Sequence, residues 1–70
     1  MEIDYGAEVR DKNGKVLGTV NKVIRDSWTG EISKFQVTTE LTDVDLFVSP
    51  KNVAEATANE VKLKIAFDEI

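Results

Sequence analysis

The sequence predicts an all-β domain, a small and highly bent antiparallel β-barrel of about six strands. Two turn signatures flank residues 16–24, a run rich in β-branched side chains. Asn13-Gly14 is typical of a two-residue type I′ hairpin turn, in which both central residues need positive φ. Thr29-Gly30 is typical of a longer hairpin loop with glycine in the left-handed conformation. Two successive hairpins predict an antiparallel meander.

Strands are expected wherever β-branched or alternating apolar residues lie between turn residues. The expected strands cover residues 7–12, 15–26, 31–39, 44–49, 53–57 and 60–65. The apolar side chains of the second strand fall into two opposite phases: Leu17 and Val23 in one, and Val16, Val20 and Ile24 in the other. A bend at Gly18 and a bulge near Val23 are expected to turn both sets inward, as a small barrel requires.

The segment 50–59 supports two interpretations. Ser49 as an N-cap, Pro50 at the first helical position and three alanines favour a helix. No apolar stripe of helical period continues beyond Val53, which favours one helical turn after Pro50 followed by a short strand. We favour the turn and strand, and the full helix remains the alternative.

The side chains expected to be buried follow from the phase of each strand. Val44, Leu46 and Val48 share a phase that is expected to point inward, and Phe47 has the opposite phase. The predicted core consists of Val9, Leu17, Val20, Val23, Phe35, Val37, Leu46, Val48, Val53, Leu63 and Ile65.

Composition limits the function classes. The chain has 70 residues, enough for one small domain spanning residues 1–70. It has neither cysteine nor histidine, so it lacks disulfides, thiolate ligands and the commonest general base. We therefore expect no catalytic residues, no bound metal and no cofactor, and we expect that the protein is not an enzyme.

The charge balance limits the partners. The formal net charge is −4, and an acidic surface repels phosphate backbones and anionic headgroups. No apolar run approaches the ~20 residues of a membrane span, and the first residues lack signal-peptide character. The expectation is a cytoplasmic protein that neither binds nucleic acid nor inserts into membranes.

An ordered set of short motifs covers nearly the whole chain. It consists of Gly6-Ala7-Glu8-Val9, Asp11-Lys12-Asn13-Gly14-Lys15-Val16-Leu17-Gly18, Val20, Val23, Asp26, Thr29-Gly30-Glu31-Ile32, Phe35-Gln36-Val37, Leu46-Phe47-Val48-Ser49-Pro50, Val53 and Val61-Lys62-Leu63. This set resembles the PRC-barrel family, in particular its short stand-alone bacterial and archaeal members. The resemblance implies a bent antiparallel barrel that serves protein–protein interaction, with no shared catalytic residues.

Three apolar residues lack an obvious inward position: Trp28 at a hairpin tip, Leu41 in a connection and Phe47 out of phase. They are the candidate interface residues, and they predict a homodimer that strengthens with added salt, because two acidic subunits repel each other. Two alternatives remain. Trp28 folds back over the barrel mouth, or Phe47 is buried where the barrel bends.

Other polar groups receive structural interpretations. Asp11-Lys12-Asn13-Gly14 is similar to a calcium loop, but its glycine comes too early, so we interpret it as a hairpin turn. Glu40, Asp43 and Asp45 are interpreted as a charged edge that prevents strand aggregation. Tyr5 is expected to plug the barrel.

Two functions are compatible with these residues. The favoured one is a non-catalytic protein–protein interaction module, a self-associating adaptor or assembly domain. The alternative is a small ligand- or RNA-binding β-barrel related to ribosome maturation, because small barrels often bind oligonucleotides.

Overall fold

The computed structural model describes residues 2–70 and confirms the all-β class. Six strands appear where they were predicted, and each of them is shorter than expected. They are β1 (Glu8–Arg10), β2 (Val16–Arg25), β3 (Ile32–Thr38), β4 (Leu46–Val48), β5 (Val53–Ala56) and β6 (Glu60–Leu63). Single 3-10 turns occupy Pro50–Asn52 and Phe67–Glu69. The segment after Pro50 is therefore a turn followed by a strand, and the full helix is excluded.

The six strands form one curled sheet in the order β4-β3-β2-β1-β6-β5. Four of the five neighbouring pairs are antiparallel. The pair β1–β6 is parallel, with Val9 opposite Val61, so the fully antiparallel barrel was wrong at this pair. The reason is the path of the chain. After β4, the chain crosses to the opposite edge of the sheet, where it forms β5, and the β5–β6 hairpin then places β6 beside β1 in the same direction.

The Asn13-Gly14 turn differs from the type I′ prediction. Gly14 has φ of 83°, but Asn13 does not have a positive φ. The Asp11 N–H donates to the Lys15 carbonyl (2.9 Å), and the Gly14 N–H donates to the Asp11 carbonyl (3.0 Å). The loop thus has three residues and needs one left-handed position, which glycine fills. At the second hairpin Gly30 has φ of 75°, as predicted.

Strand β2 bends, and the bend turns Leu17 and Val20 to the same interior. The register against β1 slips at Leu17, and the register against β3 slips at Asn21. Each slip is a bulge that reverses the side-chain alternation. The predicted bulge thus lies two residues before Val23. Of the set Val16, Val20 and Ile24, only Val20 is buried, whereas Val16 is exposed and Ile24 is half-buried.

Phe35, Val9 and Val61 lie at the centre of the core. Eight predicted core residues are buried: Val9, Leu17, Val20, Phe35, Val37, Val48, Val53 and Leu63. Three others, Val23, Leu46 and Ile65, are only half-buried and pack against the edge of the core. The prediction missed Ile3, Ala7, Val61 and Ala66, which are also buried.

Two residues lie outside the positions expected for them. Val44 is exposed because β4 begins only at Leu46, which leaves Val44 in the preceding loop. Tyr5 is 69% exposed and is not a plug. Its place is taken by Ile3, which is buried in the core.

We expect Gly18→Ala to destabilise the domain by more than about 3 kcal/mol, because an added Cβ overlaps the Thr38 carbonyl oxygen on β3. Gly14→Ala is the matched control, since its φ is positive but no atom lies within 4 Å of an added Cβ. It should cost about 1 kcal/mol of backbone strain. Urea unfolding followed by circular dichroism measures both. Equal losses in the two variants would contradict the close approach.

Candidate interaction surfaces

Phe47 lies on the outer face of the edge strand β4 and is 53% exposed. It stands opposite Gln36 of β3, and the Lys34 Nζ lies 5.0 Å from the centre of its ring. A lysine ammonium at this distance is attracted by the face of the ring. The outward phase predicted for Phe47 is confirmed, and the alternative of burial at the bend is excluded.

The side chains around Phe47 form a mixed apolar and polar surface. Ile24 of β2 stands opposite Lys34 and is half-buried. Gln36 donates from its Nε2 to an Asp45 oxygen at 2.7 Å. We call Ile24, Lys34, Gln36 and Phe47 the Phe47 face. This face exposes the Phe47 ring on an edge strand, with Lys34 and Gln36 beside it.

Trp28 lies at the tip of the β2–β3 hairpin and is 95% exposed. The alternative in which it folds over the barrel mouth is therefore wrong. Hydrogen bonds order the backbone beneath it. One Asp26 carboxylate oxygen accepts from the N–H groups of Trp28 (2.7 Å) and Thr29 (3.2 Å), and the Asp26 carbonyl accepts from the Gly30 N–H (2.8 Å). The indole is thus carried by a well-braced loop.

Leu41 lies beyond the other end of β3 and is 43% exposed. Together with Val16, which is 44% exposed, it lines a groove of about 330 Å³. The groove is completed by Leu17, Gly18, Thr19, Thr38, Thr39 and Glu40. Trp28 and Leu41 lie at opposite ends of the β2–β3 hairpin, so the three candidate residues do not form one patch. The groove depends on the approach of Thr38 of β3 to the bend expected at Gly18, and sequence periodicity does not locate this long-range contact.

Asp11 is the only buried charged residue among residues 2–70. One carboxylate oxygen accepts from the N–H groups of Asn13 and Lys15, both at 2.9 Å, and the other accepts from the Phe67 N–H at 3.0 Å. Burial opposes ionisation, but the hydrogen bonds from Lys15, Phe67 and Asn13 and the positive charge of Lys15 outweigh it. The pKa of Asp11 is therefore held below its ordinary value of 3.8.

The same loop is attached to the C-terminal segment by further contacts. The Glu69 carboxylate accepts from the Ala66 N–H at 2.9 Å and lies 3.2 Å from the Lys12 Nζ. The bond from Ala66, followed by the contact with Lys12, lowers the pKa of Glu69. The Lys12 N–H donates to the Ile65 carbonyl at 3.0 Å. Asp11 thus acts as a structural residue within a hairpin turn, as predicted.

The acidic residues 40–45 do not gather around a common point. Asp45 is hydrogen-bonded to Gln36, whereas Glu40 and Asp43 are exposed. Within residues 2–70, no three acidic side chains form a group suited to a metal ion.

Comparisons with known proteins leave the chain without an assigned family. No protein-family model matches it. No curated protein shows significant sequence similarity to it. The PRC-barrel resemblance therefore rests on the quoted motifs alone. Within residues 2–70, no helix is long and apolar enough to cross a bilayer.

We expect Asp11→Asn to reduce stability at pH 7 and to flatten its dependence on acid. The pKa of the Asp11 carboxyl is lower in the folded protein than in the unfolded chain. The ionised carboxylate therefore stabilises the fold at pH values above the unfolded-state pKa. This contribution is lost as the pH falls through the folded-state pKa. The wild type should lose melting temperature more steeply than the variant as the pH falls below the ordinary pKa of 3.8. Asp43→Asn, at an exposed position, is the control. Parallel pH profiles of wild type and Asp11→Asn would contradict this role.

Proposed function

We propose that the chain is a non-catalytic protein–protein interaction module of the PRC-barrel type that forms a homodimer in the cytoplasm. The observation that carries the proposal is the outward position of Phe47 on the edge strand β4. Aromatic side chains are enriched at the centres of protein interfaces. A two-fold contact lets one Phe47 face cover its own copy.

The size of the domain supports association. A core of this size sits near the limit of independent stability, and burying further apolar surface between copies adds to it. The Phe47 face supplies such surface through the Phe47 ring and the half-buried Ile24. The net charge opposes association, because each subunit carries −4 and the two copies repel each other. The dimer should therefore strengthen as added salt screens this repulsion.

The inventory of reactive groups supports a non-catalytic role. The sequence contains no histidine and no cysteine, the residues most used as bases and nucleophiles near neutral pH. The buried carboxylate of Asp11 is occupied by three backbone N–H groups. Its lowered pKa leaves it a weak base.

Sedimentation equilibrium of Phe47→Asp tests the dimer. The substitution places a charge at the centre of the contact and should weaken association by about tenfold or more. Val44→Asp is the matched control, because Val44 is 71% exposed but lies in the loop before β4. A wild type that remains monomeric at high micromolar concentration would overturn the dimer. A dimer that tolerates Phe47→Asp would remove the Phe47 face from the contact.

One observation favours the RNA-binding alternative. Lys22 and Lys34 lie on the same outer surface as Phe47, an arrangement that can hold a phosphate backbone beside a stacked base. The net charge of −4 and the single aromatic ring on this surface oppose it. We expect no sub-micromolar binding of a fluorescently labelled single-stranded RNA by anisotropy. Tight binding that weakens with salt and is lost in Phe47→Ala would establish the alternative instead.

A further inference from the structure

The two ends of the β2–β3 hairpin carry features of opposite shape. One end is the tip, residues 26–31, which carries the protruding Trp28. The other end is the groove, about 330 Å³ in volume, lined by Val16, Leu41 and the residues around Gly18 and Thr38. The Phe47 face lies apart from both of them, near the middle of β3.

The tip presents an exposed indole on a hydrogen-bonded loop. Its indole is 95% exposed, and the loop below it is braced by the Asp26 carboxylate. The Thr29 hydroxyl accepts from the Glu31 N–H at 3.2 Å, and Arg25 donates to the Gly30 carbonyl at 3.0 Å. A side chain presented by an ordered loop loses little conformational entropy when it binds.

The groove is suited to receive an indole. Its volume lies at the low end of pockets that hold small organic groups, roughly 300–1,000 Å³. Val16 and Leu41 supply exposed apolar walls. Gly18 also lies in the lining, where the backbone of Thr38 comes too close for any side chain at this position. Glu40 lies in the lining of the groove, and the tip carries Asp26 and Glu31 beside Arg25, which pairs with Glu2 at 3.7 Å, so the docked contact is apolar rather than electrostatic.

We propose that Trp28 of one copy inserts into the Val16–Leu41 groove of a second copy. The contact is head-to-tail, because tip and groove are different surfaces, and it leaves a free tip and a free groove for further copies. A tryptophan buries about 150–250 Å² of its own surface. With the groove walls added, the contact stays below the ~1,200 Å² of a stable interface, so it should be weak and reversible. This inference rests on the proposed self-association but uses a contact separate from the Phe47 face.

The test is a mixing experiment carried out with Phe47→Asp in every chain, which removes the two-fold contact. Phe47→Asp/Trp28→Ala keeps the groove and lacks the tip. Phe47→Asp/Leu41→Asp keeps the tip and blocks the groove. Each double variant alone should sediment as a monomer, and a one-to-one mixture should form a heterodimer that grows no further. Phe47→Asp alone should form species beyond the dimer as its concentration rises.

Tryptophan fluorescence provides the second readout. The chain contains a single tryptophan, so in the mixture only the groove-blocked variant emits. Its emission should shift to shorter wavelength when Phe47→Asp/Trp28→Ala is added, because the indole leaves water. Val44→Asp, in the same loop as Leu41, is the control for the blocking substitution and should retain association.

The outcomes separate this contact from the proposed dimer. A mixture that remains monomeric with unshifted emission overturns the head-to-tail contact. Association of either double variant alone, or equal loss with Leu41→Asp and Val44→Asp, also overturns it. In each of these cases a wild-type dimer that is sensitive to Phe47→Asp leaves the proposed function intact.

Discussion

The close approach of β2 and β3 at Gly18 is the constraint on which the rest of the structure depends. β2 is the longest strand and pairs with both β1 and β3. Its bend brings Leu17 and Val20 to one interior although they lie three residues apart. A straight strand alternates strictly, so it would expose one of these side chains to water. The curl of the sheet, the single core and the groove beside Leu41 all follow from this bend.

A second constraint acts at the turn between β1 and β2, where the buried carboxylate of Asp11 is satisfied by hydrogen bonds. Its carboxylate satisfies N–H groups of its own turn and of Phe67, and so joins the first hairpin to the last turn of the described chain. Buried charges are tolerated when hydrogen bonds saturate them. In a domain this small, one polar residue at this junction orders two loops, beside the apolar contacts that Ile65 and Phe67 make with the core.

Local chemistry predicted much of this fold, and long-range pairing accounts for the errors. The six strands, the turn at Pro50–Asn52 and the left-handed Gly30 follow from residue types within a few positions of each other. The parallel β1–β6 pair does not, because strands of three and four residues carry no signal for their distant partners. The exposure of Trp28 was predictable from its position at a hairpin tip. The exposure of Phe47 was predictable because its phase is opposite to that of Leu46 and Val48. The groove was not, because it also needs Thr38 of β3 to lie against the predicted bend at Gly18, and local residue types do not encode that contact.

The parallel pairing of β1 with β6 also sets the order in which the chain can become organised. Val9 and Val61 are separated by roughly fifty residues, so closing this loop carries a large entropic cost before any contact rewards it. The β2–β3 hairpin can form from neighbouring residues, whereas β1 cannot gain its second neighbour until β6 has left the ribosome. Folding should therefore be completed only once β6 is free to pair with β1, at the slow end of the range for small domains. Until then one edge of β1 remains unpaired, with its N–H and C=O groups open to pairing with another strand.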